Sequence, residues 1–338
     1  MREQATIDAV ARRAGVSVAS VSRVFSGAAR VAPDTAGRIR QAASELGYVP
    51  NHSAASLKRR RTGQIAFSLP DIGNPVYVAM ARAIEEVARE RGTRLFLLST
   101  DADAAEEIGL LRDLNRRFVD GLIMCPLRAT AEHVAAVQRA AAPVVFIGAL
   151  PADTPADVVS VDSEAAARLA IDHLLDLGRR RVALVGGPPD THPGAKRLRG
   201  YTAALTERGL PIDADLMVTG DFRSEGGYTA ADRLLTLPEP PDAIFCANDL
   251  MALGALRRID EAGLRVPEDV ALVGIDDIEQ GRLCRPALTS VSLRPAERGR
   301  QAAETLFARL AGPWEPPWQR LVFSPLLVPR ASTQGGRP

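Results

Sequence analysis

Along the first fifty positions apolar residues recur at the three- and four-residue spacing of amphipathic helices. Thr6 is placed to cap a short helix with Ile7, Val10, Ala11 and Ala14 on one face. Gly15 supplies backbone freedom for a tight turn, and Val16 plugs its corner. Ser17 caps a second helix, Val18 to about Phe25, with Val21 and Val24 as its buried positions. Two short helices joined by Ala-Gly-Val-Ser predict a helix-turn-helix. A third helix, about Asp34 to Leu46, is expected to pack Ile39, Ala42 and Leu46 behind them. Pro50 ends this head, and Asn51 is placed to cap one more short helix reaching Lys58. A helix that short is unstable alone in water, so it requires a partner: its twin in a dimer, or a DNA groove.

From Gln64 the pattern changes to apolar runs separated by helical stretches. The runs are Ile65–Leu69, Leu95–Ser99, Gly121–Cys125, Val144–Gly148, Val158–Val161, Val182–Gly186, Leu216–Thr219, Ala243–Ala247 and Val270–Gly274. Helices are expected at roughly 75–91, 104–117, 131–141, 163–177, 195–208, 224–236 and 249–262. Continuous runs rather than strict alternation predict buried parallel strands, hence an α/β body. At about 275 residues the body exceeds one ordinary open sheet, and the rhythm restarts near residue 162. The fold class is therefore an N-terminal all-α helix-turn-helix head followed by two lobes of doubly wound parallel sheet. The expected boundaries are 1–50 for the head, 51–63 for a hinge helix and basic linker, and 64–338 for the body.

Charge adds a second signal. The net charge of +1 on 338 residues conceals a head, residues 1–63, with eleven Arg and Lys against four Asp and Glu. That head carries +7 and the remaining chain −6, the arrangement expected of a polyanion binder. In a helix-turn-helix the second helix enters the major groove with its amino-terminal side chains leading. Val18 and Ala19 would then read thymine methyls and shape, while Ser17, Ser22 and Arg23 supply hydrogen bonds. Small residues at Ala54 and Ala55 before Leu57, with Lys58 and Arg59 to Arg61 behind, suit a wedge entering a base step from the minor groove. The candidate DNA-contacting set is Thr6, Ser17, Val18, Ala19, Ser22, Arg23, Tyr48, Asn51, Ala54, Leu57 and Lys58.

Other classes are disfavoured. No apolar run approaches the ~18–20 residues that span a bilayer, and the amino terminus lacks the apolar core of an export signal. A cytoplasmic location is expected. Cys125, Cys246 and Cys284 form no CxxC pair, and the four histidines show no metal-ligand spacing. His133 and His173 read as surface or core-edge residues, and Glu106-Glu107 as solvated helical charge. Neither a GxxxxGK[ST] loop nor a GxSxG elbow occurs. Gly186-Gly187-Pro188-Pro189 follows a strand, but its prolines lack the N–H groups a pyrophosphate needs. Neither enzyme activity, cofactor nor metal is expected.

A binding cleft is better supported. In open parallel sheets ligands gather beyond the carboxyl ends of strands. That favours Asp71 to Tyr77, Asp162, Asn248-Asp249 and Asp276-Asp277, with Arg197 opening a helix and Phe222 following a strand. Carboxylate and amide oxygens, a guanidinium fork and an aromatic face suit a polyol. Alternatives remain at each position: Asp249 reads best as a helix cap, Asp277 as a turn residue and Phe222 equally as core.

The segments TIDAVARRAGVSVASVSRVFSG and GYVPNHSAASLKRRRTGQIA closely resemble the head and hinge of the LacI/GalR family of bacterial transcriptional regulators. Ser26 stands where that family usually has asparagine, and Ala32 where a helix-capping serine is usual. The resemblance runs essentially the whole length and implies a body of the periplasmic-binding-protein type. It further implies a first lobe of about 64–161 and 293–317 and a second of about 162–292 and 318–331. Arg197, Asn248 and Asp276 stand where the family carries hydrogen-bonding effector contacts, with Phe222 as ring platform and Tyr77 and Asp162 as further contacts. By the resemblance, Leu57 intercalates at the centre of a near-palindromic operator. The implied function is an effector-controlled repressor, its effector a sugar or sugar derivative. A nucleoside- or purine-responsive member is the alternative within the family. A transporter's solute-binding protein is the alternative outside it, disfavoured by the +7 head. The carboxyl-terminal stretch shows no heptad repeat, so a homodimer is expected. Leu57→Ala should weaken operator binding strongly in a filter or anisotropy assay while leaving effector affinity intact; equal operator affinity would remove the wedge role.

Overall fold

A computed structural model describes residues 5–26, 31–49, 61–152 and 154–334. The hinge assignments Asn51, Ala54, Leu57 and Lys58 lie outside the described residues. The chain divides into two units, Met1–Gly63 and Gln64–Pro338.

In the first unit α1 (Ile7–Ala14), α2 (Val18–Ser26) and α3 (Pro33–Glu45) close on a small core of Val10, Ala11, Ala14, Val21, Ile39, Ala42 and Ala43. The Thr6 hydroxyl accepts the Ala9 N–H at 3.2 Å, and Gly15 closes α1 in the left-handed region at φ 65°. A side chain other than glycine is strained there. Ala32 gives α3 no side-chain cap. Arg13 pairs with Glu45 at 2.8 Å, tying α1 to the end of α3. Leu46, expected in the core, is 38% exposed. The helix ends at Glu45, so Leu46 sits on the capping turn instead of continuing the buried face.

The second unit holds two six-stranded sheets among the described residues. The first contains β1 (Gln64–Leu69), β2 (Arg94–Ser99), β3 (Gly121–Met124), β4 (Val144–Ile147), β5 (Asp157–Val161) and β11 (Arg320–Phe323), ordered β11-β5-β4-β3-β1-β2 and parallel throughout. The second contains β6 (Val182–Gly186), β7 (Met217–Thr219), β8 (Ala243–Cys246), β9 (Ala271–Ile275), β10 (Thr289–Ser292) and β12 (Leu326–Val328), ordered β12-β10-β9-β8-β6-β7. Here only β12 runs antiparallel to its neighbour.

Helices cover both faces of each sheet. On the first, Ile65, Phe67, Ile123 and Val145 pack against Met80, Ile84 and Leu306 of α4 (Pro75–Glu90) and α12 (Pro295–Ala311). The alternate residues Ala66, Leu122, Val144 and Phe146 meet Leu111 and Val137 of α5 (Ala104–Asp113) and α6 (Ala131–Gln138). On the second, Leu184, Phe245 and Val273 face Leu174 and Tyr201 of α7 (Ser163–Asp176) and α8 (His192–Glu207). Its other face meets Leu234, Met251 and Ile259 of α9 (Ser224–Leu235) and α10 (Asp249–Glu261), and a short α11 (Glu279–Leu283) follows β9. Burial on both faces explains why these strands read as unbroken apolar runs. Each large side chain so buried contributes roughly 1.5–3 kcal/mol. Edge strands are the exceptions: β2 leaves Phe96 and Leu97 45% and 43% exposed, β11 leaves Val322 68% exposed and β12 leaves Leu326 54% exposed.

Two expectations are corrected. The returning segment reaches beyond residue 317: β11 pairs with β5 in the first lobe, and the chain rejoins the second only at β12. The cause is the buried Asp157 carboxylate. It accepts two hydrogen bonds from Arg309 of α12, at 2.8 and 2.9 Å, and the Gln319 N–H at 2.7 Å, which seats β11 beside β5. Glu107 and His133 are also not solvated or at the core edge; both are buried and joined at 3.0 Å, with the other ring nitrogen of His133 at 2.9 Å from the Thr130 hydroxyl. Arg309→Met should destabilise the body by about 3–5 kcal/mol, because it leaves a buried carboxylate without its cation. Urea unfolding of the variant beside the wild type reads this directly, and a loss below about 1 kcal/mol would contradict the role given to Asp157.

Candidate ligand cleft and nucleic-acid interface

The carboxyl ends of both sheets open onto one cavity of about 310 Å³ between the lobes. Pro70 and Asp71 follow β1, Cys125 follows β3, Gly148 follows β4, Asp221 and Phe222 follow β7, Asn248 follows β8 and Asp276 follows β9. Each lines the wall because its strand ends there.

Arg197, on α8, is 6% exposed. One terminal nitrogen donates to the Ala247 carbonyl, the other lies 4.0 Å from Asp276 Oδ1, and Nε has no partner. Burial pulls its pKa below the ordinary guanidinium value, opposed chiefly by the Asp276 charge. Asp276 is 5% exposed, and burial lifts its pKa to about 6 against the lowering effect of Arg197 and Arg298. The Phe222 ring lies 5.9 Å from the Arg197 guanidinium and rests over Gly187, where an added Cβ would come within 2.1 Å of the ring. Phe222 and Asp276 adopt positive φ, 66° and 119°, strained backbone of the kind that gathers at functional sites. Tyr77 completes the wall; burial raises its hydroxyl pKa well above the ordinary value, and that hydroxyl makes no hydrogen bond to the described residues.

Asn248 both caps and lines. Its Oδ1 accepts the Met251 N–H at 3.0 Å and its amide donates to the Phe222 carbonyl at 2.9 Å, fixing the loop that carries the ring. Asp249 is therefore not the cap. Fully buried, it accepts from Ser290 Oγ at 2.7 Å and the Ile278 N–H at 2.9 Å, and burial pushes its pKa well up. Asp277 accepts from both Arg282 and Arg330, at 2.8 and 2.5 Å.

Asp162 is a correction. It is exposed and caps α7, accepting the Glu164 and Ala165 N–H groups, while its neighbours Val161 and Ser163 line the cavity. The turn into α7 spends that carboxylate on the helix terminus. Sequence reasoning missed Arg298 on α12, 4% exposed and lining the cavity, whose Nε donates to the Leu293 carbonyl at 2.7 Å. It also missed ties across the mouth. Arg128 of the first lobe forks onto Asp190 of the second at 2.7 and 3.2 Å, and the His192 N–H donates to the Leu127 carbonyl at 2.9 Å.

In the head unit Ser17, Val18 and Ala19 stand exposed at the amino end of α2, with Val18 40% exposed. Ser17 Oγ accepts the Ser20 N–H at 3.2 Å, as a cap should. Ser22 is half-buried and Arg23 exposed on the same helix. Tyr48 is half-buried against Phe25, ring centroids 5.8 Å apart, and Thr6 is exposed. α2 therefore presents a small apolar tip flanked by hydroxyl and guanidinium donors, which fits a base-edge reader.

Residues 6–51 match the model for bacterial regulatory proteins of the lacI family, and residues 171–333 match that for a periplasmic binding protein-like domain. The ribose operon repressor of Escherichia coli is 35% identical over 329 residues, 97% of this chain and 99% of that protein. The chain belongs to the LacI family. The structure of a CelR–cellobiose complex is similar with TM-score 0.73 at 34% identity, covering 97% of this chain and all of that one. The lac repressor dimer bound to operator and an anti-inducer matches with TM-score 0.85 at 27% identity, covering 98% and 99%. As a LacI-family chain, this protein is a DNA-binding transcriptional regulator rather than an enzyme.

Gly187→Ala should displace the Phe222 ring, because the new methyl occupies its position. Effector affinity should fall up to about tenfold, the worth of an aromatic platform, with little change in melting temperature. Unchanged affinity would place Phe222 outside the ligand contacts.

Proposed function

We propose that this LacI-family regulator is a cytoplasmic homodimeric repressor that binds a near-palindromic operator and is controlled by a sugar or sugar derivative held between its lobes. The observation that carries the reading is convergence. Arg197, Phe222, Asn248, Asp276 and Tyr77, drawn from five separate segments, meet in one cavity. The relatives named above include a ribose operon repressor and a cellobiose-bound regulator. In this reading Asp276 and Asn248 accept from and donate to sugar hydroxyls, Arg197 donates its fork, and Phe222 covers the apolar ring face.

Val18 and Ala19 enter the major groove, Ser17, Ser22 and Arg23 hydrogen-bond around them, and Thr6, Tyr48, Asn51, Ala54 and Lys58 complete the DNA contacts about the Leu57 wedge. A second copy of the chain covers Phe96 and Leu97, since an apolar edge strand left open invites pairing. The ligand switches the molecule only if it prefers one arrangement of the lobes over the other.

Fluorescence anisotropy of a labelled operator duplex tests the function. Affinity should fall by about 10³-fold or more between ~50 and ~200 mM salt if six or more phosphates are contacted. It should also change on adding the sugar that stabilises the protein. A salt-independent affinity, or no binding to any palindromic duplex, overturns the proposal.

A further inference from the structure

The cleft contains more buried positive than negative charge. Arg197 and Arg298 are 6% and 4% exposed, and both line the cavity. Asp276 is the one carboxylate among the described cavity-lining residues that is buried to the same degree. It satisfies neither cation: it stands 4.0 Å from Arg197, beyond hydrogen-bond reach, and no carboxylate oxygen of a described residue lies within 4.0 Å of Arg298. Asp249, directly behind Asp276, is not available as counter-charge. Its oxygens are taken by Ser290 and Ile278, and burial favours its neutral form. Asp71, Asp101 and Asp221 line the same cavity from positions in contact with solvent, where water screens them. His192, facing the cleft, is held toward its neutral form by burial and by Lys196, Arg199 and Arg197.

Hydrogen-bond supply points the same way. Arg298 spends Nε on the Leu293 carbonyl, and its two terminal nitrogens make no hydrogen bond to the described residues. The Arg197 Nε is buried without an acceptor, a costly state unless one arrives. The Tyr77 hydroxyl and the Arg298 terminal nitrogens make no hydrogen bond to the described residues but reach the cavity, where a ligand can meet them. What is missing from the cleft is an acceptor group carrying about one negative charge.

We infer that the effector is a sugar acid whose carboxylate sits between Arg298 and Arg197, with its hydroxyls left to Asp276 and Asn248 and its ring to Phe222. This rests on the effector-controlled reading above and narrows it. A planar guanidinium fork matches a carboxylate in two parallel hydrogen bonds. The single surplus charge matches a monoanion better than a phosphate monoester, which carries about −1.5 to −2 near neutral pH. Arg298 lies on α12 of the first lobe and Arg197 on α8 of the second, so one carboxylate joins the lobes. A neutral sugar makes no such ionic bridge.

The test is a thermal-shift and calorimetric panel on the full-length protein. Hexuronates and aldonates are compared with their neutral parent hexoses and with hexose monophosphates. At least one acid should bind about a hundredfold or more tighter than its neutral parent. Arg298→Gln should erase that gap. Should that variant not fold, the wild-type panel decides alone. Binding by neutral hexoses as tight as by acids, binding by monophosphates only, or binding by none of the acids overturns the inference. If a neutral hexose or a monophosphate alone binds and alters operator affinity, the regulator reading stands without the carboxylate site. If no sugar of any kind alters operator affinity, that reading falls as well.

Discussion

A guanidinium buried between two lobes without a full counter-ion is the constraint around which the body is organised. Arg197 reaches the cleft from α8 and is anchored by the Ala247 carbonyl. Asp276 faces it across 4.0 Å, held there by backbone that turns through positive φ. Neither group is satisfied in the protein alone. Both carboxyl-end rims must therefore face each other, and whatever fills the gap engages both. The surrounding architecture serves that juxtaposition: parallel sheets whose ends converge, a Gly187 small enough for the Phe222 ring, and an Asn248 that caps α10 while pinning the ring's loop.

The chain crosses between lobes three times among the described residues, after Val161, near Leu293 and after Phe323. Three crossings permit relative movement of two rigid halves more readily than internal deformation, because each half has its own closely packed core. At the cleft mouth the halves also touch directly through Arg128 and Asp190 and through the His192 N–H. A ligand that bridges Arg298 and Arg197 adds to these ties, so occupancy and lobe arrangement are energetically linked. The binding free energy available for switching is the difference between the ligand's affinities for the two arrangements, not the affinity itself.

Much of this was legible in the sequence. Strands buried on both faces announce themselves as apolar runs, and residues after them lie in the cleft because the sheet topology leaves them nowhere else. The head is equally readable, since Thr6, Gly15 and Ser17 each occupy the capping or turning position their chemistry favours. What escaped detection had competing local explanations. Arg298 sits amid Arg294, Glu297 and Arg300, a charge pattern that reads as a solvated helix face until α12 is seen packing on α4 through Gly299. Asp162 and Asn248 are both polar residues at strand ends and cap the next helix, yet only Asn248 also turns an atom toward the cleft. Glu107 looked like surface charge because its partner, His133, lies 26 residues away and only the fold joins them. The edge strand β11 is short, and its place depends on Asp157, a contact across 152 residues of sequence to Arg309.

The central claim is that cleft and operator are coupled through one shared equilibrium, and coupling of that kind is reciprocal. The most direct measurement is effector affinity by titration calorimetry, with and without saturating operator duplex. The account predicts a change by the same factor, and in the same sense, as the effector's own effect on operator affinity. Identical effector affinities in the two conditions would contradict it.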